Sequence, residues 1–578
     1  MTKSILTGLL ALVAIISEAQ QIHNARYPFE PASVALPESE QGIIMEKHFS
    51  DSKIYPGTER TYWVYVPRQY TGEKPACLYL CMDGIQNNAP TAFDNLIKTG
   101  EMPVTIGVFV SSGTVRDAKG KEIRYNGSNE FDKTDDTFAH FLETELLPDV
   151  EKMKTSDGHP VRLSKDANDC AIAGASSGAI AAFKTAWERP DMFSRIFSSI
   201  GTYVAMRGGN DYPALVRKTE PKALRIYLQD GVNDIWNPIF GHWFEANTLM
   251  ESALNFAGYE MTHNWGRGGH DGIQADQIFP DVMRWLWKGW PEKVKAGTSM
   301  NDMLTYMIEP GETWQPIELP LSIGSDIYPD DEGCILFQQR TEVYRVLADN
   351  NMESIGKLGQ GEKLVGTSGS GFYTINGGTL FHHQKGKKQK VTSGFPGASS
   401  VQALANGSLY VTQSTANGNN LWLVSANRKK KALNTLANAG EYTTIYPNYA
   451  LLIQTEQASN WLNSYVIDEN GEIKDGQRFY WLHNVDNHSL EKIREMAFDT
   501  EGNLYVSTPM GIQVCDQNGR VRAILTIPSR SVEALAFAGA DGKMLYMVSK
   551  GQLYKRKLKS TGHKLWQAPV EPQSQGAG

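Results

Sequence analysis

Five cysteines in 578 residues are too few, and odd in number, for a disulfide framework. Cys77, Cys81, Cys170, Cys334 and Cys515 also lack the pairwise spacing of a zinc site. Cys77 and Cys81 fall four apart in one predicted strand, roughly 13 Å from each other at ~3.3 Å per residue, too far to bond. Cys77 and Cys170 can neighbour each other on adjacent strands, and all five read as small buried hydrophobes. Long apolar runs are missing as well. Residues 5–16 form the longest candidate, short of the ~18 that a membrane-crossing helix needs, so no membrane span is predicted. Excess positive charge is a third absence. With 56 Lys and Arg against 64 Asp and Glu, the formal net charge is −8 and the pI near 5.9, which excludes the basic footprint of a nucleic-acid partner. The local runs Arg428-Lys429-Lys430-Lys431 and Lys385 to Lys390 read as solvated loops.

What is present begins with Lys3, an apolar run and Ser17-Glu18-Ala19, the three parts of a secretory leader. The expectation is a leader over residues 1–19 and a periplasmic or secreted protein. A chain of this length exceeds one core, and 41% hydrophobic with 21% charged residues is the composition of an ordinary soluble protein.

The chain has two grammars. Short apolar runs at 60–66, 76–82, 104–110, 170–173, 196–200 and 224–228 alternate with helical patterns such as 136–153 and 246–257. That alternation predicts an α/β domain over 20–293, a mostly parallel sheet with helices on both faces. From about residue 319 the text becomes all-β. Gly407-Ser408-Leu409-Tyr410-Val411, Gly502-Asn503-Leu504-Tyr505-Val506 and Lys543-Met544-Leu545-Tyr546-Met547 repeat one phrase, with looser copies at 335–337, 378–381 and 449–453. Self-similarity every 35 to 50 residues is the mark of a β-propeller, here of six blades over 319–559. Residues 294–318 read as a linker and 560–578 as a tail, whose part from Gln567 on, rich in Pro, Gln and Gly, reads as disordered.

Gly174-Ala175-Ser176-Ser177-Gly178, between an apolar run and an Ala-rich helix, reads as a nucleophile elbow, a sharp strand-to-helix turn that exposes a serine hydroxyl. The helix start aims its N–H groups where an oxyanion forms, so Ser177 N–H is one predicted donor. A serine nucleophile needs a base and an orienting acid. His270, in Gly268-Gly269-His270-Asp271-Gly272 after a strand-like run, is the candidate base; His242 and His263 compete. Asp234 is the candidate acid and Asp230 its runner-up, both following the run 224–228; an Asp-Gly pair also serves simply to make a turn. The second oxyanion donor is assigned to Ile85 N–H in Asp83-Gly84-Ile85. No cofactor is implied.

With serine, acid, histidine and Asp-Gly loop in chain order, residues 45–290 resemble the esterase family of α/β-hydrolases that includes feruloyl, acetylxylan and enterochelin esterases. Tyr55-Pro56-Gly57-Thr58-Glu59-Arg60, Glu145-Leu146-Leu147-Pro148, Trp187-Glu188-Arg189-Pro190-Asp191 and Gly268-Gly269-His270 add to the likeness. The resemblance implies a serine ester hydrolase acting on acetyl or feruloyl esters of plant polysaccharide. The alternatives are a siderophore esterase, or a ligand-binding propeller beside a vestigial hydrolase. It also suggests that Arg124 and Glu130 form a supporting ion pair or face substrate; Trp236 and Trp265 are candidates to stack on a substrate ring. The second half is similar to gluconolactonase and regucalcin propellers, most clearly at 496–506 and 511–514. Where those enzymes hold a divalent metal, this chain has Ser325, Val401 or Ser400, Arg494 and Ala534, a set that predicts no metal and no lactonase chemistry.

Overall fold

The computed structural model describes residues 30–324, 326–416, 418–484, 493–529 and 531–573. The predicted leader and the last five residues of the predicted tail lie outside the described residues. The chain forms two compact units, Met1–Arg217 with Pro221–Ser299, and Lys218–Glu220 with Met300–Gly578.

The first unit is built on an eight-stranded sheet. Its strands are β1 (Ile43–Phe49), β2 (Arg60–Val66), β3 (Cys77–Met82), β4 (Thr105–Val110), β7 (Cys170–Ala175), β8 (Arg195–Ser199), β9 (Arg225–Gly231) and β12 (Glu260–Gly266). Two short hairpins, β5 (Thr114–Arg116) with β6 (Glu122–Tyr125) and β10 (Trp236–Asn237) with β11 (Gly241–His242), lie outside it. The order is β1-β2-β4-β3-β7-β8-β9-β12, parallel from β4 to β12 and antiparallel at β1 and β2. β3 and β4 are buried along their whole length, as expected of parallel strands covered on both faces. Tyr79, Ala171 and Phe197 of three adjacent strands pack on Phe93 and Phe279 of the helices Ala89–Lys98 and Ile273–Trp287. The helix Ser177–Glu188 packs on β7 and β8. Leu78, not Cys77, pairs with Cys170, so the thiols of Cys77 and Cys170 fall on opposite faces of the sheet and the expected neighbours are separated; all five cysteines are free and buried.

The second unit is a six-bladed propeller, each blade a four-stranded antiparallel sheet. Its last blade takes its outermost strand, Gln315–Ile317, from the chain ahead of the first blade, pairing it with Gln552–Lys557. That strand and the helix Asp302–Met307 occupy the stretch expected to be a linker. At the start of the tail, His563, Leu565 and Trp566 line a cavity with residues of the innermost strands. The repeated Tyr phrase marks the second strand in five blades. In the blade of residues 363–393 it falls on the third strand, Thr379–Gln384, because the second, Gly371–Asn376, carries a similar apolar-aromatic pattern. A second repeat lies in the turns. Asp330, Asp468, Asp499 and Asp516 each precede a glycine by three positions, and each carboxylate accepts the N–H groups two and four residues on. Among the described residues no helix is long and apolar enough to cross a membrane.

Candidate active site

Parallel strands end at a common edge, and the loops that leave that edge carry the predicted site residues. Ser176 stands between β7 and its helix with φ of 55° and ψ of −120°, a conformation rare for a residue with a side chain. The turn closes tightly enough that a Cβ on Gly174 would lie 2.3 Å from the carbonyl of Gly178, so no larger residue fits there. Ser176 N–H donates to Ser199 O, and Thr202 N–H donates to Ser176 O, which pins the elbow to the end of β8.

His270 and Asp234 are brought to Ser176 by the neighbouring loops. A Cβ on Gly231 would lie 2.1 Å from Gly268 O, so the acid-bearing and base-bearing loops touch through backbone alone. Val232 N–H donates to Gly266 O, Asn233 N–H to Gly268 O, and Asn233 Nδ2 to Arg267 O. His270 Nε2 then lies 2.8 Å from Ser176 Oγ, and Nδ1 lies 2.6 Å from Asp234 Oδ1. The Asp234 side chain is fully buried and that of His270 21% exposed, which leaves the base reachable while its orienting acid is sealed. Burial opposes the charge of Asp234, but hydrogen bonds from His270, Asp230 and Ile235 N–H outweigh it and hold the carboxyl below its usual range. Asp230 behaves in the opposite way. Burial first, then the hydrogen bond and charge of Asp234, push it up to about 9.

The two competing histidines have other partners. His263 pairs with Glu251 at 3.0 Å and stacks on Trp265, and His242 sits in the β10–β11 hairpin. Thr202, which the sequence did not single out, places its hydroxyl 3.3 Å from Ser176 Oγ and accepts from Trp243 Nε1 at 3.3 Å. Trp243 also meets the His270 ring edge-on at 5.8 Å. Only the position of Thr202, just after the run 196–200, hinted at it.

Ser177 opens the helix behind Ser176, where the first N–H groups have no acceptor within the helix. The loop of Ile85 runs beside the elbow: a Cβ on Gly178 would lie 3.1 Å from Asp83 Oδ2 and from Met82 Cβ. Asp83 and Gly84 have φ of 62° and 83°, the left-handed turn that starts this loop.

Two expectations for substrate-binding residues are corrected. Glu130 is paired with Arg60, not Arg124, through two bonds of 2.6 and 2.9 Å, and both side chains are fully buried. Asn126 Nδ2 and Gly113 N–H also donate to it, so Glu130 has no face left for substrate. Arg124 is exposed on β6. Trp265 is buried against His263 and Phe244, with Nε1 on Glu251, and is a packing residue. Trp236 is exposed, two positions after Asp234.

Residues 53–265 match the family model described as "Putative esterase". The match supports esterase activity for this region, and it encloses the elbow, the oxyanion-loop candidate and both aspartates. No curated protein sequence matches the chain. Among solved structures, a ferulic acid esterase is 18% identical over 43% of this chain and 98% of its own, with a TM-score of 0.33. The enterobactin esterase of Shigella flexneri is 19% identical over 45% of this chain and 63% of its own, with a TM-score of 0.34. The calcium-binding protein regucalcin of Agrobacterium tumefaciens strain C58 is 15% identical over 44% and 98%, with a TM-score of 0.37.

Among the described residues no group of three or more His, Cys, Asp or Glu side chains is placed to hold a metal ion. Val401 and Ala534 are buried hydrocarbon and Arg494 is a cation; Ser325 lies outside the described residues.

Proposed function

We propose that the first unit is a serine-dependent carboxylic ester hydrolase. The observation that carries the reading is the unbroken chain Ser176 Oγ, His270 and Asp234 at 2.8 and 2.6 Å. Ser176 Oγ attacks the ester carbonyl carbon while its proton passes to His270 Nε2. Asp234 Oδ1 accepts from Nδ1–H and steadies the imidazolium. The carbonyl oxygen takes up negative charge facing the N–H groups of Ser177 and Ile85, one such donor being worth about 3 kcal/mol in comparable sites. The C–O bond to the alcohol breaks as His270 returns the proton to it, and water attacks the acyl-serine by the same route in reverse.

As substrate we propose an acetyl or feruloyl ester on plant polysaccharide, hydrolysed outside the cytoplasm, as the leader-like residues 1–19 suggest. Of the two acyl groups the feruloyl ester is favoured. Ile85, Ile235, Trp236, Ile239 and Ile273 are exposed on the very segments that carry the site, and an aromatic acyl group gives such side chains something to cover. Hydrolysis of methyl ferulate and p-nitrophenyl acetate, with Ser176→Ala alongside, tests the reading. Turnover lost to background in Ser176→Ala, with methyl ferulate the better substrate, is the expected result. A Ser176→Ala variant that keeps its activity overturns the assignment.

A further inference from the structure

Behind the His270-facing side of Asp234 lies a second carboxyl group with no solvent around it. Asp230 is 0% exposed at the end of β9, and Asp234 is 5% exposed. The oxygens of the two carboxyl groups are satisfied unequally. Asp230 Oδ1 accepts Gly231 N–H at 2.7 Å, and Asp234 Oδ1 accepts both Ile235 N–H and His270 Nδ1–H. Neither Asp230 Oδ2 nor Asp234 Oδ2 receives an N–H or hydroxyl donor, although both atoms are buried. The two carboxyl groups are instead in hydrogen-bond contact with each other. Two ionised carboxylates do not remain in contact out of water, and two orphaned acceptors there each cost free energy. A single proton removes both difficulties at once.

We propose that Asp230 is a positioning residue that holds a proton and donates it in a hydrogen bond to Asp234 Oδ2, so that Oδ1 stays fixed on His270 Nδ1. The inference rests on the reading of Asp234 as the acid that orients His270. The pair carries one negative charge in place of two, and the proton stays on Asp230 throughout the cycle, while the reacting proton moves only between Ser176, His270 and the leaving alcohol. Asp234, with His270 behind it, is the titratable group facing Asp230 from the neighbouring loops; from the helix Trp243–Phe256 the amide of Asn247 hydrogen-bonds Asp230 and favours its charged form, an effect outweighed by burial and by Asp234. An Asp230 carboxyl raised to about 9 is neutral at pH 7 and ionises only on the alkaline side. The folded chain thus keeps a proton that the unfolded chain releases near ~3.9, so this group lets stability fall as pH climbs from there to about 9.

Infrared difference spectra and kinetics of Asp230→Asn and Asp230→Leu test this. At pH 7 the wild-type protein shows the carbonyl stretch of a neutral carboxylic acid that Asp230→Asn lacks, and the band fades as pH passes about 9. Asp230→Asn, whose amide still donates to Asp234, keeps kcat within about twofold and flattens the pH slope of stability. Asp230→Leu, which cannot donate, lowers kcat about tenfold at unchanged KM. If the leucine variant does not fold, the asparagine variant and the band still decide. Absence of the band, or equal loss of kcat in both variants, overturns the proposal. A present band in a protein inactive on every ester leaves the shared proton standing and refutes the esterase reading instead.

Discussion

The propeller and the hydrolase unit use their aspartates in opposite ways. In the propeller, Asp330, Asp468, Asp499 and Asp516 each sit at the start of a turn and receive two backbone N–H groups, the same local device in each place. In the hydrolase unit, Asp230 and Asp234 come together once, each with an oxygen that no N–H or hydroxyl reaches, and a histidine beyond. The first arrangement is satisfied by residues two and four positions away. The second depends on the folded site, which brings Asp234 Oδ1 to His270 and sets Asp230 behind it. Satisfied turns repeat because they build; the unsatisfied pair occurs where a proton has to be managed.

The largest effect that sharpens this contrast comes from a third kind of buried carboxylate, one fully paired by a cation. Glu130→Ala leaves the Arg60 guanidinium buried without its partner and is expected to lower the stability of the first unit by about 3–5 kcal/mol. Urea unfolding followed by hydrogen exchange at β2 reads it, and a loss under about 1 kcal/mol would show that the pair is dispensable. A smaller effect belongs to the propeller turns. Asp499 is 0% exposed and accepts Glu501 N–H, Asn503 N–H and Asn503 Nδ2. Asp499→Ala is expected to cost about 1–3 kcal/mol in propeller unfolding while ester hydrolysis is unchanged. An equal loss of hydrolysis would break the division between aspartates that build and aspartates that serve the site.

What the sequence made legible follows from the same division. The strands β2, β3, β4, β7, β8 and β9 are strongly apolar runs, and their positions are readable without a structure. The edge strand β1 alternates between half-buried and exposed residues and carries Glu46, Lys47 and His48, so its apolar signal is too weak to find. Ser176, Asp234 and His270 could be read because each stands in a short, glycine-bearing segment just past a strand. The partner of Glu130 could not, since Arg60 lies 70 residues away and only burial selects it over Arg124. The pairing of Asp230 with Asp234 was equally hidden: both candidates for the acid stand within five residues at the end of β9 and just past it, and choosing one for the histidine does not reveal that the other is in contact with it. The strand Gln315–Ile317 escaped because its partner, Gln552–Lys557, lies at the far end of the propeller sequence.

The central claim is that Ser176 is a nucleophile activated by His270. Its most direct measurement is mass mapping of the protein after reaction with a fluorophosphonate, which captures an activated serine whatever the natural ester. The expected result is a single adduct on the peptide carrying Ser176, absent from Ser176→Ala and formed far more slowly in His270→Ala. An unmodified Ser176, or labelling that is as fast without His270, would contradict it.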